Sequence, residues 1–171
     1  EFGTITSCNN QDICWVEGLL STIYDVFLDQ IVDGQIYTKG TGERDPSREH
    51  WTRLHELNLA QNALLVFDRG YYSKELYEDL VSDGCHVLMR LNKGNHLTRL
   101  GSDDFSWTAA SADGKPVLYR IVRVPLPEQS NEEAEYLVTN ITDPSISPAL
   151  LYNLYFERWN IETKYRELKE W

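Results

Sequence analysis

Ala63-Leu64-Leu65-Val66-Phe67 is an unbroken apolar run that ends abruptly at Asp68-Arg69-Gly70. A strand with one wet face alternates apolar and polar residues. A strand without alternation must be covered on both faces, which in practice means helices packed on either side of a sheet. The flanking sequence supplies that cover. Ser73 can cap a short helix carrying Leu76, Leu80 and Val81, which ends at Asp83-Gly84, and His86 to Leu91 reads as a second strand.

The rest of the chain is consistent with a mixed α/β layer built on a central sheet. Val16 to Phe27 and Gln30 to Tyr37 read as strands, the second alternating around an Asp33-Gly34 turn signal. After a Gly/Thr-rich loop from Lys39 to Arg44, Asp45 can cap a helix with Pro46 at its first position, running to about Asn58. From about Asn92 to Asp143 the pattern turns to strands, at Trp107, Val117 to Val124 and Glu135 to Asn140. We read this stretch, 92–143, as a β-rich insertion within one domain spanning 1–171. Ser147-Pro148 opens the last helix. The start at Glu1 without Met, and the end at Trp171 inside a helical pattern, give both ends a cut appearance.

Composition excludes some classes. No apolar run approaches the roughly 20 residues of a membrane span, and no charged flank precedes an apolar stretch at the N-terminus. Cys8, Cys14 and Cys85 are odd in number and lack a C-x-x-C spacing. That points to reduced thiols and a cytoplasmic protein rather than a disulfide or zinc scaffold. The net charge of -11 runs against nucleic-acid binding, because neutralising phosphates supplies much of that affinity. It is compatible with a site whose carboxylates gather divalent cations.

Two features carry chemistry. Asp68 follows the buried strand directly, where open α/β sheets present their ligands; the alternative is that Asp68-Arg69-Gly70 is simply a turn. The second feature is the helix from Pro148. At about 100° per residue, Tyr155, Arg158, Glu162 and Lys169 fall within a sector of roughly 60°, while Phe156, Ile161, Leu168 and Trp171 are left for packing. A carboxylate flanked by two cations and a phenol suits a phosphate backbone beside a metal ion; the alternative is a solvated face with an Arg158–Glu162 ion pair. Trp159 can serve as a base-stacking platform or as core.

Taken together, these residues resemble the catalytic domain of insertion-sequence DDE transposases carrying the YREK signature: Tyr, two residues, Arg, three, Glu, six, Lys. Here Tyr155, Arg158, Glu162 and Lys169 reproduce every gap. Asp68-Arg69-Gly70-Tyr71 resembles the family's second-aspartate segment, and Ser21 to Val26 and Gly42-Glu43-Arg44 are similar as well. The resemblance implies a ribonuclease H-like mixed sheet flanked by helices, with the β-rich insertion before the last helix. It implies an Asp-Asp-Glu triad that holds two Mg²⁺ or Mn²⁺ ions for phosphodiester hydrolysis and strand transfer. Asp68 would be the second acid and Glu162 the third, both catalytic and metal-binding. Tyr155, Arg158 and Lys169 would hold the DNA backbone at a transposon end, in a homodimeric complex.

The departure is at the first acid. The family's Asp-Gly-Ser/Thr segment does not occur here, and Asp12 lies in the polar stretch Asn9-Asn10-Gln11-Asp12. The expectation is therefore a core lacking its first strand and its N-terminal DNA-binding region, inactive as this chain. A non-catalytic relic or adapted binding domain, or a purely hydrolytic nuclease on the same fold, are the alternatives. His50, His55, His86 and His96 are expected on the surface or partly buried, not as ligands, and Lys39-Gly40-Thr41-Gly42 has the wrong order for a phosphate loop.

Overall fold

The computed structural model describes residues 3–6, 14–38, 40–42, 44–100, 102–130 and 132–169, with side chains from 18 to 167 among these. Cys8, Asp12, Lys39, Glu43 and Trp171, and the side chains of Leu168 and Lys169, lie outside the described residues. The chain divides into two compact units, Glu1–Leu59 and Ala60–Trp171.

The first unit is an antiparallel sheet of β1 (Gly3–Thr6), β2 (Cys14–Asp25) and β3 (Gln30–Thr38), followed by α1 (Arg44–Glu56). The β2–β3 turn is made by Val26 to Asp29, between the two strands read from the sequence. Asp25 Oδ1 accepts the Phe27 and Leu28 N–H groups, both at 2.9 Å, which closes the turn locally. Asp33 and Gly34 sit inside β3, opposite Ile23 and Thr22. Asp33 is buried there and hydrogen-bonded from α1. The His50 ring, only 2% exposed, lies between Asp33 Oδ2 at 2.6 Å and Ser21 Oγ at 2.9 Å. Arg53 Nε is 3.2 Å from the other Asp33 oxygen. His50 is thus buried more deeply than expected, with both ring nitrogens engaged, while His55, His86 and His96 are exposed. Helix α1 ends where Asn58 takes a left-handed φ of 57°, a conformation asparagine tolerates better than most residues.

The second unit is a five-stranded mixed sheet in the order β4-β5-β8-β7-β6. It comprises β4 (Leu64–Phe67), β5 (His86–Arg90), β6 (Asp104–Ala110), β7 (Pro116–Pro125) and β8 (Ala134–Thr139). Strands β4 and β5 are parallel, joined through α2 (Lys74–Ser82); the remaining pairings are antiparallel. The strands within 92–143 thus continue the same sheet as β4 and β5.

Both faces of this sheet are covered, as the apolar run required. On one face Tyr77 of α2 stacks on Tyr119 with ring centroids 4.6 Å apart. On the other, Leu151 and Tyr155 of α3 (Pro148–Phe156) pack with Leu88, Val122 and Leu137 in one buried cluster. Helix α2 starts as its sequence dictates, with Ser73 Oγ accepting the Leu76 N–H at 3.1 Å, and stops at Gly84, whose φ of 85° excludes most side chains. Ser147 caps α3 in the same manner.

The last helix is not continuous. Helix α3 gives way to a tighter 3₁₀ turn, Glu157–Trp159, before α4 (Asn160–Lys169) resumes. The uniform 100° advance expected from Pro148 onward fails at this turn, where Asn160 N–H reaches the Glu157 carbonyl. Neither Gly nor Pro is present to cause it; Arg158, at its centre, is held from outside the helix.

Candidate functional site

Asp68 is the first residue beyond β4, and parallel pairing of Phe67 with Met89 sets it level with Arg90 at the end of β5. Its carboxylate is half-buried and well supplied with donors. Oδ1 accepts the Arg69 backbone N–H at 2.7 Å and the Tyr155 hydroxyl at 2.8 Å. Oδ2 lies 3.6 Å from Arg158 Nη2. Burial is the largest influence on this carboxyl and pushes its pKa up. The Arg69 and Tyr155 hydrogen bonds, with Arg158 and Arg90, outweigh burial and hold Asp68 below its ordinary value of 3.8. Tyr155 answers in kind: burial, then the hydrogen bond to Asp68, pushes its phenol up to about 12. The pair is therefore a carboxylate accepting from a neutral phenol.

Arg158 joins the two helices' chemistry to the strand. Its Nη1 lies 3.6 Å from Glu162 Oε1 on α4, while Nη2 faces Asp68. The two terminal nitrogens sit on one planar guanidinium, so the Asp68 and Glu162 oxygens they hold are within about 10 Å of each other. The guanidinium lies 5.4 Å from the Tyr155 ring centroid and 5.0 Å from that of Trp159. Trp159 is 47% exposed and Phe156 56% exposed, so neither packs in the core; for Phe156 this corrects the helical-wheel reading. Tyr155, by contrast, is 2% exposed and anchors α3 to the sheet as well as bonding Asp68.

Of the expected site residues, the fold brings together Asp68, Tyr155, Arg158 and Glu162; the Lys169 side chain lies outside the described residues. Asp68 and Glu162 are half-exposed carboxylates, the hard oxygen donors that Mg²⁺ and Mn²⁺ prefer. Among the described residues no group of three or more His, Cys, Asp or Glu is placed to hold a metal ion.

Sequence reasoning missed the charges beside Asp68. Arg90 Nη2 contacts Glu135 Oε1 at 2.8 Å and Glu132 Oε2 at 3.4 Å. Arg69 Nη1 contacts Glu132 Oε1 at 3.2 Å. Pairing the two apolar strands in parallel would have revealed Arg90, because it ends β5 as Asp68 ends β4. Nothing in the local sequence marks Glu132 and Glu135, which arrive from the β7–β8 connection and β8.

A family model described as transposase DDE domain matches residues 7–171. The chain belongs to this family. A transposase of Escherichia coli (strain K12), InsG for insertion sequence element IS4, is 28% identical to it over 124 residues, 64% of this chain. The chain spans 27% of that relative's length. No helix among the described residues of this DDE domain is long and apolar enough to cross a membrane.

Proposed function

We propose that this chain is part of the catalytic core of a DNA transposase, with Asp68 and Glu162 as two acids of a metal-binding triad. The observation that carries the proposal is the sharing of one guanidinium, that of Arg158, by two carboxylates distant in sequence. Two half-exposed acids face this one cation at the carboxyl end of a strand. The ribonuclease H-like arrangement inferred from the sequence is compatible with the parallel β4–α2–β5 unit and with α3 lying on the sheet.

Asp68 and Glu162 would hold Mg²⁺ or Mn²⁺, which when bound supplies Lewis-acid activation of an attacking oxygen and neutralises phosphate charge. The chain's own residues prepare the site. The Arg69 N–H and Tyr155 hydroxyl fix the Asp68 carboxylate and keep it ionised at neutral pH. Arg158 offers a planar fork to phosphate oxygens, and Lys169 adds a point charge. DNA, at transposon ends and target, is the proposed partner, in a homodimeric complex.

Calorimetric titration with MnCl₂ and MgCl₂ tests the reading. We expect wild type to bind, and Asp68→Asn and Glu162→Gln each to weaken binding by about tenfold or more, the scale of a lost charged ligand. Equal binding by all three proteins would remove these acids from the metal site. The net charge of -11 favours a second reading, a non-catalytic member of the family that keeps the fold; absence of divalent-ion binding by wild type would support it.

A further inference from the structure

The acidic balance of this chain sits oddly with DNA as a partner, and the surroundings of Asp68 show where part of it is spent. Glu132, in the β7–β8 connection, is held by two arginines at once. Its Oε1 lies 3.2 Å from Arg69 Nη1, and its Oε2 accepts from Arg69 Nη2 at 3.3 Å and from Arg90 Nη2 at 3.4 Å. Two parallel contacts from one guanidinium to both oxygens of one carboxylate are the fork geometry by which arginine also grips a phosphate. The two arginines differ in what else holds them. Arg90 keeps a closer partner in Glu135 at 2.8 Å, both of them largely buried, so it has a fixed counter-charge whatever Glu132 does. Arg69 is 36% exposed. Its side chain leans on Glu132, while its backbone N–H holds Asp68.

We infer that Arg69 and Arg90 form a phosphodiester-binding site beside Asp68, and that Glu132 is a built-in competitor that occupies it until a nucleic-acid phosphate displaces it. The inference rests on the transposase reading for the identity of its ligand, and Glu132 has no part in the metal site proposed above. The carboxylate stands where a phosphate oxyanion would sit: both are acceptor-only groups that take two parallel N–H donors. The contacts it makes, at 3.2 to 3.4 Å, are looser than the 2.8 Å of the Arg90–Glu135 pair. The connection that carries Glu132 is tied at its base, where Leu126 N–H donates to the Glu133 carbonyl at 2.9 Å. Glu132 can therefore swing off the arginines without opening the β7–β8 hairpin. Such a plug lets a strongly acidic chain keep the Arg69 guanidinium ready for DNA while cancelling its charge in the absence of DNA.

The test compares wild type, Glu132→Gln and the double variant Glu132→Gln/Arg69→Gln by fluorescence anisotropy with a labelled duplex oligonucleotide, and by calorimetry with inorganic phosphate. Circular dichroism melts serve as the folding check, and Glu132→Ala is a second plug variant. Freeing the fork should tighten oligonucleotide binding by about tenfold and steepen the dependence of log affinity on log salt by about one unit. The double variant should abolish both gains. Unchanged or weaker oligonucleotide binding by both plug variants would overturn the plug while leaving the transposase reading intact. If Glu132→Gln gains phosphate binding through Arg69 but no protein binds the oligonucleotide, the anion site stands and the DNA reading falls. No gain with either probe overturns the inference.

Discussion

Asp68 owes its character to three donors that arrive from different parts of the second unit: its neighbour's N–H, Tyr155 on α3 and Arg158 in the tightened turn. Because its folded pKa is lowered, it stabilises the fold above the ordinary carboxylate value of 3.8. That contribution is lost as pH falls through the depressed folded value. An acid titration followed by circular dichroism should therefore show wild type losing stability more steeply than Asp68→Asn below about pH 4. Tyr155→Phe removes one donor without leaving a buried polar atom, and NMR titration should then place the Asp68 pKa higher than in wild type. If the value stays put, the Tyr155 hydrogen bond is not what holds the carboxylate. The spacing of Tyr155, Arg158 and Glu162 was legible in the sequence. That Arg158 would join Glu162 to Asp68 was not, since it depends on how α3 docks.

Helices α2 and α3 begin where their serine–Pro or serine-only caps place them, and α2 ends on a glycine that only a left-handed turn requires. Those boundaries are local chemistry and could be read directly. The break between α3 and α4 could not, because no breaker residue marks it. Burial sets the energies at this scale. Leu151 is fully buried against the sheet, so Leu151→Ala should cost about 2–5 kcal/mol, measured by denaturant unfolding. In the first unit Asp33 is paired with His50 and Arg53. Asp33→Ala leaves Nδ1 of the buried His50 ring without its hydrogen-bond partner and should destabilise that unit by about 1–3 kcal/mol. Native-state hydrogen exchange would assign the loss: amides of β2, β3 and α1 should lose protection first. Uniform loss across both units would mean that the Asp33 pairing supports more than its own sheet.

At the scale of the whole chain, 27 acidic residues face 16 Lys and Arg, and the excess repels itself. Raising ionic strength from about 0.01 M to 0.15 M shortens the screening length from about 30 Å to 8 Å, so the midpoint of thermal unfolding should rise over that range. A falling midpoint would show that paired charges, such as Arg120 with Asp104 at 2.7 Å, outweigh the net repulsion. The sequence by itself determined the buried strand, the caps, the acid at the strand's end and the spacing of Tyr155, Arg158 and Glu162. Each follows from local sterics, hydrogen bonding or helical periodicity, which act over a few residues. Only the tertiary structure decided that Asp33 is buried against His50 and Arg53 and that the 92–143 strands extend the β4–β5 sheet. It alone also placed Glu132 and Arg90 beside Asp68. These depend on which segments pair across long stretches of chain, where burial and ion pairing outweigh the preferences of any single residue.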